Sequence, residues 1–209
     1  MICIGTGQGN LDLIPETALQ GEFGIGYTSK RFLIDMGVFY IAAKDKIVWT
    51  PSGDANRPGV WVPINVSEVR NKGLEVVLAF NETFKAHAIK VNVNYSYTLA
   101  TNKETDKQLI FVPKHLFNAN IRYTYKRFGL FFQQLFNDKV YTTESNSSDY
   151  VVNRYFVSNI GANYKLLNIK SNHITMGVKV NNVFNTYYVV QPRRPMPNRN
   201  FNLNINYKF

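Results

Sequence analysis

The residue types that do metal chemistry are scarce. His87, His115, His173 and Cys3 are the only histidines and cysteine in the chain. Zinc and its relatives need such ligands in close pairs, a few residues apart. No such pair exists here, so no metal and no cofactor is expected. No Gly-rich loop leads into Lys-Ser or Lys-Thr, which removes a phosphate cradle. No serine sits in a nucleophile elbow. Aspartate and glutamate together number 14, and no two are placed for acid–base work, so no enzyme is expected. What remains is contact chemistry. Trp49 and Trp61 lie near Tyr40, and aromatic faces of this kind stack on apolar surfaces and sugar rings; loop packing or anchoring at a membrane interface is the plainer reading. Arg193, Arg194 and Arg199 cluster near the C-terminus. Guanidinium groups bind phosphates well, so a phosphate-bearing surface or an anionic solute suits them, against the plainer reading of a solvated basic loop.

The chain has 209 residues, 24 basic against 14 acidic, for a net charge of +10. That balance alone would admit nucleic acid as a partner. The basic residues are dispersed, however, and neither a recognition helix nor an RNA-binding aromatic motif is present, so none is expected. Aromatic residues make up 14% and asparagine numbers 25. Asparagine is a poor helix former and aromatics favour strands.

The elements that must position these residues are strands. In the final stretch Phe201, Leu203, Ile205, Tyr207 and Phe209 alternate with Asn202, Asn204, Asn206 and Lys208. Successive Cβ atoms point to opposite faces of a strand, so one face is apolar and one polar. The same alternation predicts nine strands, near 17–27, 31–41, 71–80, 87–99, 114–125, 128–136, 153–165, 172–181 and 200–209. Their connections alternate short (28–30, 81–86, 126–127, 166–171) and long (42–70, 100–113, 137–152, 182–199). Lys46–Trp49 is strand-prone inside the first long loop, and Pro51, Gly53, Pro58, Gly59 and Pro63 are expected to break it. Pro195 and Pro197 are expected to fix the loop before the last strand. Residues 1–16 are expected to be irregular, without the basic and apolar regions of an export signal. On the polar faces fall Glu75, Arg122, Lys179 and Asn204, with ion pairs to neighbouring strands expected for the charged three. Asn181, Asn182 and Asn185 are expected to tie a strand end to its loop.

An antiparallel meander of this kind closes either into a soluble β-sandwich or into a transmembrane β-barrel. The polar faces are mostly amide and hydroxyl, not Lys and Glu. Tyrosines gather near strand ends, and ten tilted residues span about 25 Å. These features favour the barrel. The sandwich, a ligand- or protein-binding module, is the alternative.

Several words in the sequence then resemble one family. They are Val69-Arg-Asn-Lys-Gly-Leu-Glu75, Tyr95-Ser-Tyr-Thr98, Phe111-Val-Pro-Lys-His115, Val180-Asn-Asn-Val-Phe-Asn185 with Tyr187-Tyr188, and Arg194-Pro-Met-Pro-Asn-Arg-Asn-Phe201 closing on Tyr207-Lys-Phe209. Asn10-Leu-Asp-Leu-Ile-Pro-Glu16 resembles the segment before an earlier strand. In this order they resemble the C-terminal barrel part of TonB-dependent outer-membrane receptors, of the type common in Bacteroidetes. The resemblance implies a barrel of about 22 strands around an N-terminal plug, importing a siderophore, cobalamin or glycan with energy from TonB. It places residues 17–209 as the last nine strands, an open arc in the bacterial outer membrane. The implied partners are outer-membrane lipid and lipopolysaccharide, the remaining strands, the plug and TonB. In that setting Glu75, Arg122, Lys179 and Asn204 face the lumen.

Overall fold

The computed structural model describes residues 7–57, 59–169 and 172–208. Cys3, Pro58, Phe209 and the side chain of His173 lie outside the described residues. Everything regular in the described chain is strand: β1 (Thr17–Thr28), β2 (Phe32–Pro51), β3 (Trp61–Phe84), β4 (His87–Asn102), β5 (His115–Tyr125), β6 (Phe128–Asn137), β7 (Val140–Tyr141), β8 (Val151–Val152), β9 (Tyr155–Ile169), β10 (Asn172–Asn181), β11 (Val189–Gln191), β12 (Arg194–Pro195) and β13 (Asn200–Lys208). Nine of them form one antiparallel sheet in the order β1-β2-β3-β4-β5-β6-β9-β10-β13, and β7-β8 and β11-β12 are two-stranded hairpins. The sheet is a meander whose outermost strands, β1 and β13, each have one neighbour.

The register carries the alternation intact across the sheet. The row Val38, Leu74, Tyr97 and the row Ile121, Phe132, Ile160, Val180, Phe201 both lie on the apolar face. The row Asn81, Lys90, Arg122, Phe131, Gly161, Lys179, Asn202 lies on the polar face. Among the described residues nothing covers the apolar face. Phe23 is 71% exposed and Leu203 74%. The buried apolar residues among those described are all alanine or valine, such as Val69, Ala100 and Val157. The accessible surface is 14731 Å², where a folded soluble monomer of this mass exposes about 9,900 Å². A sandwich would need a second sheet facing the first; among the described residues there is none.

The structure corrects the connections. Residues 42–70 are mostly ribbon: β2 and β3 stay paired from Lys46↔Val66 to Pro51↔Trp61, leaving only residues 52–60 as loop. Pro63 does not break β3. Its C=O accepts from Asn10 Nδ2 at 3.1 Å, so that residue's polar groups point away from β2. The missing N–H is therefore on a side where no ladder bond was due. β3 ends at Phe84 and β4 begins at His87, so the second short connection is the two-residue turn Lys85-Ala86. Pro195 joins a short ladder after all, opposite Val189. Residues 11–16 lie in no strand, but the segment is held: Gln8 N donates to Trp61 O at 3.0 Å, and Lys46 Nζ reaches Glu16 at 3.0 Å.

Candidate solute-facing site

The long-loop end of the sheet holds the site. Trp49 pairs with Pro63 and Pro51 with Trp61, two steps apart, so period-two geometry puts both indoles on one face of the ribbon. Trp49 stays half exposed. The loop between β4 and β5 folds back beside them. Leu109 N donates to Ala100 O at 2.9 Å and Phe111 N to Tyr141 O at 2.9 Å. Gln108 is buried; its N donates to Asn146 Oδ1 at 2.7 Å, its Nε2 to Val112 O at 2.6 Å, and its C=O accepts from Asn146 Nδ2 at 2.9 Å. Asn146 thus stitches two long loops together. Phe111 sits at φ +58°, a conformation a bulky side chain adopts at a cost. That backbone carries its ring to 6.2 Å from Trp61. Trp49, Trp61, Phe111, Val48, Val66 and Gln108 line much of a cavity of about 350 Å³, with Lys107 and Glu144 also on its wall. Such a cavity, mostly apolar with a few polar groups, suits a small organic ligand.

The other candidate residues lie elsewhere. Arg193, Arg194 and Arg199 are on the connection between β10 and β13, with β4, β5, β6, β9 and β10 between them and the ribbon. All three are exposed, and among the described residues none has an ion-pair partner. The loop that carries them is fixed as expected. Asn182, 2% exposed, accepts from Thr186 N at 2.8 Å and donates to Thr186 O at 2.8 Å. Asn185 Oδ1 accepts from Arg199 N at 2.9 Å, and Asn181 Nδ2 donates to Asn200 Oδ1 at 2.8 Å.

Glu75, Arg122, Lys179 and Asn204 share the polar face. The ion pairs expected for the three charged residues do not form among the described residues. Arg122 instead lies opposite Lys90, a like charge. Glu75 borders a hollow with Glu22, Asp35 and Asn71, whose buried Oδ1 has no hydrogen-bond partner. Among the described residues no three His, Cys, Asp or Glu side chains stand close enough to share a metal ion.

A family profile described as "TonB dependent receptor-like, beta-barrel" matches residues 4–183. The chain belongs to the TonB-dependent receptor β-barrel family. Among curated relatives, the vitamin B12 transporter BtuB of Photobacterium profundum is 26% identical over 203 residues, covering 96% of this chain and 32% of the transporter. The iron-regulated outer membrane virulence protein of Vibrio cholerae is 28% identical over 173 residues, 76% of this chain and 26% of that protein. Among solved structures, the copper transporter OprC superposes with a TM-score of 0.72 at 16% identity, over 95% of this chain and 32% of OprC. The siderophore receptor PirA of Acinetobacter baumannii gives 0.69 at 21% identity, over 97% and 33%. This chain therefore spans about a third of the length of the receptors it matches. A third of such a receptor's length holds only part of its barrel, an open arc, which accounts for the single uncovered sheet with two edge strands.

Proposed function

We propose that the chain is the C-terminal barrel segment of an outer-membrane active-transport receptor, with residues 17–209 forming the strands. The observation that carries this is the single sheet with one face mainly apolar and the other mainly polar. Exposed apolar strands of that height require lipid, and unpaired edges in lipid require further strands. The full receptor would sit in the bacterial outer membrane, take up a scarce solute such as a siderophore, cobalamin or glycan, and be driven by TonB acting on a plug. The names of the relatives, a B12 transporter and an iron-regulated outer membrane protein, support that solute range. The role is transport, with no catalytic chemistry. The sequence words quoted above support membership of the Bacteroidetes-type subfamily.

In this reading the Trp49–Trp61–Phe111 cavity contributes to solute capture at the outer surface. The exposed arginines 193, 194 and 199 meet lipopolysaccharide phosphate or an anionic solute. Glu75, Arg122, Lys179 and Asn204 line the lumen. Solute binding to the full receptor that contains this segment tests it: W61A and F111A should each weaken binding about fivefold or more, since each removes a stacked aromatic worth about 1–3 kcal/mol. Unchanged affinity in both variants would remove the cavity from the solute path.

A further inference from the structure

The short-turn end of the sheet differs in charge from the long-loop end. Its described turns carry Lys30, Arg31, Lys85, Lys126 and Arg127. The one acid beside them is Glu82, paired to Arg31. The long loops mix acids and bases, with Asp54, Glu104, Asp138, Glu144 and Asp149 among them.

Two of these turns are built against local preference. Lys85 and Lys126 have φ of +53° and +50°, a region in which tight hairpins normally use Asn, Asp or Gly. The cost is kept at both turns, and in both it accompanies the same geometry. The Lys85 ammonium lies 5.3 Å from the Phe84 ring centroid, and the Lys126 ammonium 5.3 Å from the Tyr125 ring. Phe84 and Tyr125 are exposed on the apolar face, beside His87 and Tyr123. Each aromatic ring thus marks the edge of the apolar band, and each ammonium sits just beyond it. The two turns are also joined to one another, Lys126 N donating to Ala86 O at 3.1 Å.

We propose that this rim is a docking surface for anionic phospholipid headgroups in the leaflet that borders the short turns. The rings would lie at the acyl boundary, while Lys85 and Lys126, with Lys30 and Arg127, bind headgroup phosphate. The inference rests on the barrel reading. Its support is charge complementarity together with the strained backbone that aims the two lysines.

Brominated-lipid quenching tests it. A single tryptophan is placed at the rim of the full receptor that contains this segment (Y125W, with every other tryptophan, Trp49 and Trp61 among them, replaced by phenylalanine), and that receptor is refolded into bilayers of phosphatidylcholine containing brominated phosphatidylglycerol or brominated phosphatidylcholine. The expected result is a preference of about fivefold or more for phosphatidylglycerol, absent from the matching Y40W reporter near the opposite rim. K85N/K126N places asparagine where the turn favours it, so the fold is kept while the preference falls to near one. Equal quenching by both lipids at Tyr125, or the same preference at both rims, would overturn the headgroup inference and leave the barrel reading standing. No quenching by either lipid at either rim would defeat both.

Discussion

Asn204 and its neighbours Leu203 and Ile205 show how sharply one residue step separates two environments. Leu203 and Ile205 are 74% and 66% exposed on the apolar face, and Asn204 lies opposite Gly177 on the polar one. Within a completed barrel, L203K or I205K should cost about 2–4 kcal/mol near the bilayer midplane, and N204K much less. A folding titration in lipid vesicles checks this, and the reverse order would put the polar face outside. Asn182 is a second sensitive point. N182A leaves the backbone N–H and C=O of Thr186 without their partner, an expected loss of about 1–3 kcal/mol, read as a lowered unfolding midpoint in the same vesicles. Glu16 gives a pH dependence. The Lys46 ammonium and the Ile47 N–H, 3.2 Å away, hold its carboxyl below the usual carboxylate range. A depressed pKa means the tether is complete above the ordinary glutamate value and is lost as pH falls through the lowered one. The Ile47 amide should lose hydrogen-exchange protection over that acidic window, after correction for intrinsic rates; protection that holds or rises would contradict it.

At the scale of elements, two cross-strand pairs fix register by close approach. A Cβ on Gly73 would lie 2.3 Å from Tyr97 O and 2.5 Å from the Phe39 ring. One on Gly161 would lie 2.2 Å from the Phe131 ring and 2.7 Å from Val178 O. Carbonyls in a ladder cannot step aside, so G73A and G161A should each destabilise the sheet by about 1–3 kcal/mol, whereas alanine at Gly21, which meets nothing within 4 Å, should be nearly neutral. Unfolding midpoints of the three variants, side by side, decide the matter. All nine sheet strands were legible in the sequence because alternation is local: Ile89 to Tyr97 states its own faces. The β2–β3 ribbon was not, because Pro51, Gly53 and Pro63 signal a break. Whether a proline breaks a strand depends on which side its nitrogen faces, and that is set by the register of β3 on β2, a long-range pairing. The site was half legible. Trp49 and Trp61 could be picked out by type, but Phe111, Gln108 and Asn146 join them only through contacts between loops, which leave no periodic trace. Asn182 was legible because its partner Thr186 lies four residues on; Asn185, which accepts from Arg199 N fourteen residues away, was legible only by its type and its place beside a strand end.

Among the described residues the molecule is a single layer with no second surface to pack against, and its stability must come from outside that layer. Lipid or detergent has to cover the apolar face, and other strands have to pair with β1 and β13. A polar pair within the apolar face is consistent with that setting: Ser158 Oγ donates to Gln134 Oε1 at 2.5 Å, and Gln134 Nε2 donates to the Leu135 and Val157 carbonyls at 3.1 and 3.3 Å, so neither side chain needs water. Size-exclusion chromatography with circular dichroism on the isolated 209-residue chain, in plain buffer and in detergent, separates a barrel arc from a self-contained soluble domain. The expected result is aggregation in buffer and dispersion only with detergent, with upstream receptor strands supplied as a second polypeptide restoring a defined complex. A sharp, cooperatively unfolding, detergent-free monomer near 24 kDa would contradict the account and return the chain to the soluble β-sandwich class.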